Sequence, residues 1–200
     1  MKAINFEGAK SYVINRLINE ASSKLYYHGL HHTLDVYNAV QKLAKMEGVS
    51  DEELLLLETA ALFHDIGFLE QYMNNEVIGA EIAKKILPQF GYKAKEIELI
   101  SNMIIATDIT RFPQTLLEKI LCDADLDYLG RDDFEGFAGQ LKRELNAYGS
   151  SLDNKQWDEI QVGFLEKHKY YTASAIALRE KIKQKHLMAI KEKLKSGLHL

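Results

Sequence analysis

The segment that decides the fold lies near the middle of the chain and reads DEELLLLETAALFHDIG from residue 51 to residue 67. Ser50 followed by Glu53 is a capping-box pattern, in which two side chains bond the free backbone amides at the start of a helix. The residues that follow are predominantly apolar, as expected for a helix inside a protein core. We therefore predict a helix over residues 51–66 that ends at a His-Asp pair.

His64 and Asp65 fall on the core-facing side of this predicted helix. Residues three, four and seven positions apart share one helix face. The face of His64 also carries the apolar residues Leu57, Ala60 and Ala61. An ionised carboxylate in such a position is costly unless it is paired or bound to a metal. Two interpretations remain open: a metal-binding pair, or a histidine bonded to a backbone carbonyl beside an aspartate that caps the next turn.

Helical periodicity continues through the rest of the chain, which has only two prolines and few alternating strand patterns. We predict an all-α fold, a single-domain helical bundle over residues 1–200. Its motif core spans about residues 25–130, followed by a helical extension over about residues 131–200. The other predicted helices span residues 7–22, 31–47, 76–87, 93–107, 115–128, 131–147, 154–168 and 171–196.

Composition limits the class of protein. Of the 200 residues, 46% are apolar and 27% are charged, which is typical of a soluble packed core, and the net charge of −4 argues against a nucleic-acid-binding face. The six lysines between Lys181 and Lys195 are interpreted as a solvated helix face. The single cysteine, Cys122, fits a reducing cytoplasm, and no segment has the apolar length of a membrane span or a signal core.

Three histidines precede the central helix in the sequence. His32 is predicted to face inward because its helix stripe is apolar. That stripe consists of Val36, Ala39, Val40 and Leu43. His31 lies four residues before Asp35, and a pair between them on the helix surface is predicted. His28 shares the face of His32 if the helix reaches back past Gly29, so a role in a site and a role as a surface or capping histidine both remain open.

A late acidic cluster offers three carboxylates. Asp125 continues an apolar stripe made by Leu117 and Leu121. Asp123 lies four residues after Lys119, and an exposed or half-exposed ion pair is predicted there. Asp127 is predicted on the same wetter side. Asp125 is therefore the inward-facing carboxylate of the three.

The ordered set His32, His64-Asp65 and Asp125 resembles the H…HD…D signature of the HD superfamily of metal-dependent phosphohydrolases. The central HDIG at residues 64–67 and the Ala-Asp element at residues 124–125 match that pattern. Two imidazoles and two carboxylates suit a divalent cation, which activates water and stabilises phosphoryl charge. The resemblance implies a metal-dependent phosphohydrolase or phosphodiesterase acting on a nucleotide or other small phosphate ester, with Asp65 also orienting the water.

The resemblance also implies a role for His28, the number of metal ions, and activities that this chain is not expected to have. In the distantly similar cyclic-nucleotide phosphodiesterases, a Tyr-His segment four residues before the ligand supplies the proton of the leaving group, which assigns this role to His28. HD proteins with two metals carry further histidines where this chain has Asn75 and Thr107. One divalent ion is therefore expected, whether Mn, Mg, Co, Ni, Fe or Zn. Phe68 replaces the catalytic glutamate of the guanosine-tetraphosphate hydrolases and some deoxynucleotidases, which argues against those activities.

Four residues are candidates for substrate contacts: Arg111, His31, Asn75 and His168. An arginine fork suits phosphate, although Arg111 also fits a solvated loop. His168 lies at a helix junction, where a histidine that favours the dipole at a helix C-terminus is the preferred interpretation. The alternative function is a metal-binding signalling or interaction module with reduced catalysis. Phe68, where many HDIG proteins have lysine, and the absent histidines keep this alternative open, whereas the full set of four ligands argues against it.

Overall fold

Helices and their connecting loops make up the computed structural model, which describes residues 3–197. The α-helices are α1 (Phe6–Glu20), α2 (Leu30–Glu47), α3 (Asp51–Phe63), α4 (Asn75–Ile86), α5 (Ala94–Ala106), α6 (Leu116–Asp125), α7 (Phe134–Ala147), α8 (Asn154–Lys167), α9 (Ala173–Ala175) and α10 (Lys181–Ser196). Short 3₁₀ helices occupy Ile66–Leu69, Leu87–Phe90 and Asp127–Gly130, and a π-helical turn spans Ile176–Glu180. Residues 3–197 contain no β-strand, so the predicted all-α class is confirmed.

The predicted capping box at Ser50 forms, and a second one lies at Thr115, where the same Thr-x-x-Glu spacing occurs. Ser50 accepts a hydrogen bond from the amide of Glu53, and the Glu53 carboxylate accepts one from the amide of Ser50. Thr115 and Glu118 do the same at the start of α6. These caps satisfy amides that a helix start leaves unpaired, and they set where α3 and α6 begin.

Helix α3 is the centre of the first hydrophobic core. Every residue from Leu56 to Phe63 is buried, and α3 packs against α1, α2, α5 and α6. Small residues on α3, such as Ala60 and Ala61, let the neighbouring helices approach closely. The carboxyl end of α3 is therefore enclosed by the helices that carry the other candidate ligands.

A second hydrophobic core joins α7, α8 and α10 to the loop before α2 and to the short helix after α6. Its buried members are Tyr27, Tyr128, Leu129, Phe134, Ala138, Trp157, Leu165 and Leu187. Aromatic rings dominate where the two regions meet, and Tyr27 contacts the rings of both Tyr128 and Phe137 at 5.6 and 6.2 Å. The extension over residues 131–197 is thus packed onto the motif core through its own apolar layer.

Two predicted helix boundaries are wrong for reasons that the side chains explain. The predicted helix 51–66 ends at Phe63, because the ring of His64 donates from Nδ1 to the carbonyl oxygen of Ala61 at 2.7 Å. The predicted helix 171–196 begins at Ala173, because the amides of Tyr171 and Thr172 are bonded to a carboxylate of α6 instead. Both departures bring polar groups to the first core.

The last helix is less solvated than its lysines predict. Lys183 is buried, and its Nζ lies 2.8 Å from both the carbonyl oxygen of His168 and the carboxylate of Glu180. Within residues 3–197, the structure has no helix whose length and apolar character would allow it to cross a bilayer.

Candidate metal centre

Four side chains from three helices converge on one point. His32 lies in the first turn of α2, His64 and Asp65 follow the last residue of α3, and Asp125 ends α6. The Nε2 of His32 lies 3.0 Å from Oδ1 of Asp125 and 3.4 Å from Oδ2 of Asp65. The Nε2 of His64 lies 3.1 Å from the same Asp65 oxygen and 3.5 Å from the same Asp125 oxygen.

These separations fit the donor atoms of one cation. Ligand atoms about 2.1 Å from a metal lie about 3.0 to 3.4 Å from one another, which is close to the spacing of the four atoms. His32, His64 and Asp125 also form a group whose ligand atoms all lie within 4.8 Å of one another. The residues therefore fit a divalent ion by both chemistry and spacing.

The protonation state of His64 supports the same conclusion. A carbonyl oxygen only accepts hydrogen bonds, so Nδ1 of His64 carries the proton that is donated to Ala61. In the neutral ring Nε2 then holds a lone pair, and this buried atom makes no hydrogen bond among the described residues. The buried Oδ2 of Asp65 likewise has none, although it lies 3.1 Å from that nitrogen. Two buried acceptors side by side are expected where both bind a cation.

Charge is concentrated in this cluster. Burial alone would raise the pKa of Asp65 and of Asp125, but the neighbouring histidines outweigh burial and hold both carboxyl pKa values below their ordinary range. Burial lowers the pKa of His64, and the two carboxylates outweigh it, so the net pKa is raised. Without a metal, a protonated His64 would hold both carboxylates ionised; a bound cation would take the place of that proton and leave the neutral imidazole that ligation requires.

A carboxylate that the sequence analysis missed holds His28 beside the cluster. Glu144 on α7 is fully buried and accepts hydrogen bonds from Nδ1 of His28, from the backbone amides of Tyr27 and His28, and from the hydroxyl of Tyr72. Burial lowers the pKa of His28, but the hydrogen bond to Glu144 and the charge of Asp65 outweigh it and raise the pKa. The sequence feature that could have identified Glu144 is its position as a charged residue on the apolar stripe of α7.

Two cavities open beside the cluster, and Asp125 lines both. The first has a volume of about 330 Å³ and is also lined by His28, Asp65, Asn75 and Thr107. Its wall depends on Gly67, where an added Cβ would lie 1.9 Å from the backbone oxygen of Asn75. Only glycine allows this approach, which brings the start of α4 against the site.

The second cavity has a volume of about 660 Å³ and contains two of the predicted substrate contacts, Arg111 and His168. Arg111 is exposed, and its Nε donates to Asp108 at 3.3 Å. Burial, followed by the charge of Lys183, lowers the pKa of His168 to about 4. His168 is therefore neutral at pH 7 and offers a hydrogen bond but no charge.

The predicted position of His31 requires a correction. The ring of His31 bonds the side chain of Gln140 at 3.0 Å, and Asp35 instead accepts two hydrogen bonds from Arg131. The His31–Asp35 pair is not formed, because α7 and the loop before it cover this face of α2. His31 lines neither of the two cavities beside the cluster.

The other two aspartates of the late cluster are also corrected. Asp123 is buried, not paired with Lys119, and its carboxylate accepts hydrogen bonds from the amides of Tyr171 and Thr172 and from the Thr172 hydroxyl. Asp127 is buried too, and Arg179 donates to both of its oxygens. Both carboxylates attach the C-terminal segment to the motif core and lie outside the metal cluster.

Comparison with known proteins agrees with this geometry. A family model described as the HD domain matches residues 29–127. An uncharacterized protein of Clostridium beijerinckii is 36% identical over 89 residues, which are 43% of this chain and 56% of that protein, so the match spans little more than half of the relative's length. The crystal structure of a predicted HD superfamily hydrolase from an uncultured Thermotogales bacterium has a similar fold, with a TM-score of 0.59 and 21% identity over 94% of this chain and 90% of that chain.

The matched segment begins just before His32 and ends just after Asp125, so it contains the complete cluster. The similar solved structure extends the likeness of fold over the C-terminal helices as well. Through its residues 29–127, the chain belongs to the HD domain family.

Proposed function

We propose that this protein is a metal-dependent phosphoric ester hydrolase, acting as a phosphohydrolase or phosphodiesterase. The observation that carries the proposal is the convergence of two imidazole nitrogens and two carboxylate oxygens beside an open cavity. Membership of the HD family supports the same class of reaction. The substrate is proposed to be a small phosphorylated molecule, a nucleotide or another phosphate ester.

His32, His64, Asp65 and Asp125 would hold one divalent ion, of Mn, Mg, Co, Ni, Fe or Zn. Such an ion supplies an acidified water and a positive charge that neutralises a phosphoryl oxygen. A single ion is proposed because Asn75 and Thr107 line the cavity where further histidines would be needed. Asp65 is also proposed to orient the attacking water, and its position on the wall of the same cavity supports this role.

His28 is the proposed general acid. Its Nδ1 is bonded to Glu144, so Nε2 is the nitrogen that would carry a proton to the leaving oxygen. The ring is stacked on Phe68 with centroids 4.1 Å apart, and the side chain keeps 19% of its exposure. Glu144 is a positioning residue in this scheme, because it orients the ring and favours the protonated imidazole.

Asn75, Arg111 and His168 are proposed as substrate contacts, because each lines one of the two cavities. Arg111 would donate to phosphate oxygens in exchange for its bond to Asp108. His168 would serve as a neutral hydrogen-bonding group. His31 has no place in the scheme because it lies outside both cavities.

The test is release of nitrophenol from nitrophenyl phosphate and from bis-nitrophenyl phosphate, with each metal added to metal-stripped protein. Metal-dependent turnover that is absent from Asp125→Ala supports the proposal. Stoichiometric metal binding without turnover of these compounds or of a panel of nucleotides would favour the alternative, a metal-binding signalling module.

A further inference from the structure

The two cavities beside the metal cluster differ in chemistry. Among the described residues, no lysine or arginine lines the first cavity, whereas Arg111, Lys167 and Lys169 line the second. Leu126, Thr107 and Asp125 line both, so the cavities meet at the cluster. A substrate whose reacting phosphorus lies at the cluster would therefore extend into two unlike environments.

Helices α7 and α8, which follow the motif core in the sequence, form one wall of the first cavity. Its side chains are almost entirely apolar: Phe134, Ala138, Leu141, Leu145, Trp157 and Leu165. The first cavity has a volume of about 330 Å³. An apolar cavity of this size beside a charged cluster is typical of a site for a small organic group.

His28 indicates which part of the substrate occupies this space. His28 lines the first cavity and does not line the second. A general acid must reach the oxygen of the leaving group, so the leaving alcohol would lie on the side of His28. The cations of the second cavity are suited to the phosphoryl oxygens and to any further anionic group attached to them.

We propose that the substrate is a phosphate ester of an apolar alcohol, with the alcohol bound in the first cavity and the anionic end facing the second. This inference rests on the proposed hydrolase function. In the reaction, the water oxygen bonds to phosphorus while the bond from phosphorus to the alcohol oxygen breaks. The alcohol oxygen takes the proton of His28, and the proton that the water loses restores His28 through solvent.

A ladder of n-alkyl phosphates tests the preference. Each methylene buried in the cavity should raise kcat/KM about threefold, from ethyl through butyl and hexyl to octyl phosphate. Nucleoside monophosphates, whose sugar is polar, should be poorer substrates than octyl phosphate. A flat ladder, or nucleoside monophosphates that exceed octyl phosphate in kcat/KM, would overturn the proposal.

Two variants connect the ladder to this cavity. Ala138→Leu fills part of the first cavity and should lower the octyl-to-ethyl ratio of kcat/KM by at least about tenfold. The matched control is Gly136→Leu on the same helix, where an added Cβ meets nothing within 4 Å. If Ala138→Leu does not fold, Ile160→Glu provides a second variant, because Ile160 lines the first cavity and is 46% exposed. It should likewise lower the octyl-to-ethyl ratio of kcat/KM by at least about tenfold.

Binding of 1-octanol to the metal-free and to the metal-loaded protein, measured by NMR, tests the cavity without any hydrolysis. We expect octanol to bind the parent protein and Gly136→Leu, and to bind Ala138→Leu at least about tenfold more weakly. Octanol binding without hydrolysis of any ester would refute the hydrolase function and keep the apolar cavity. Hydrolysis that is independent of chain length, without octanol binding, would refute this inference and keep the function.

Discussion

The motif helices and the C-terminal helices contribute opposite kinds of side chain to one site. Helices α2, α3 and α6 supply two imidazoles and two carboxylates at close range, whereas α7 and α8 supply an apolar wall. The family match covers the first region and ends before the second begins. The difference teaches that the family match covers the proposed metal ligands but not the apolar wall, nor Glu144, which holds His28.

Buried carboxylates connect the two regions. Glu144 reaches from α7 to His28, and Asp123 and Asp127 reach from the motif core to Thr172 and Arg179. Each carboxylate accepts several hydrogen bonds, so its burial is compensated. The orientation of His28, the proposed general acid, therefore depends on a helix outside the family match.

The largest effect is expected from breaking the motif region itself. His64→Ala removes one nitrogen ligand and should abolish metal binding, so activity should fall by more than the roughly 10- to 100-fold that follows loss of a group hydrogen-bonded to a ligand. Metal content by mass spectrometry and nitrophenyl phosphate turnover measure this. His31→Ala is the matched control on the neighbouring helix. Full activity of His64→Ala would refute the ligand assignment.

The next effect concerns His28, where the two regions meet. His28→Ala should keep the metal and lower kcat by roughly 10²–10⁴-fold for alkyl esters, with a smaller loss for nitrophenyl esters, because nitrophenolate leaves without a proton. Steady-state kinetics on both ester classes decides. Equal losses on both classes would contradict the acid role.

Glu144→Gln sharpens this test from the other region. The imidazole remains but loses its carboxylate, so kcat for alkyl esters should fall by less than in His28→Ala, with metal content unchanged. The asymmetry between alkyl and nitrophenyl esters should persist in the variant. If Glu144→Gln loses the difference between alkyl and nitrophenyl esters, Glu144 has a structural role only.

Asp123→Asn loosens the attachment between the regions without entering the cluster. We expect the free energy of unfolding to fall by about 1–3 kcal/mol, because a buried carboxylate that accepts three hydrogen bonds is replaced by an amide that does not accept all of them. Urea unfolding measures the change. Metal binding should be retained, and its loss would assign Asp123 to the site after all.

The smallest effect is a pH dependence confined to the C-terminal region. Burial lowers the pKa of His168 from 6.5 to about 4, so the unfolded chain binds more protons between these values. The contribution of His168 to stability is therefore present above about pH 6.5 and is lost as the pH falls towards 4. His168→Phe should reduce the decline of unfolding free energy over this range. An unchanged decline would assign the acid sensitivity to other groups.

The sequence predicts the helices of both regions to within a few residues and the convergence of His32, His64 and Asp125, but not the contacts that join the two regions. Apolar stripes were sufficient to distinguish His32 from His31, and the structure brings His32 and Asp125 within 3.0 Å. The stripes did not order the late carboxylates correctly, because Asp123 and Asp127 are buried more deeply than Asp125, whose side chain keeps 18% of its exposure. Two capping boxes set the starts of α3 and α6 because their determinants lie three residues apart. Residue spacing within a single helix was therefore enough to predict where the central helices begin.

The errors at Asp123 and Glu144 involve contacts between distant segments. Asp123 was expected beside Lys119, but its partners lie 48 and 49 residues away at Tyr171 and Thr172. Glu144 bonds His28 across 116 residues, and no local pattern pairs them. Spacing along one helix describes only one helix surface, so it cannot show which residue of another helix will cover that surface.

The central claim is tested most directly by counting the ions bound to this protein. Metal-stripped protein, titrated by calorimetry with Mn²⁺ or Zn²⁺, is predicted to bind one ion per chain. Asp125→Ala is predicted to bind none, and Asp123→Asn is predicted to bind one. Two ions per chain, or undiminished binding by Asp125→Ala, would contradict the assignment of one metal to His32, His64, Asp65 and Asp125.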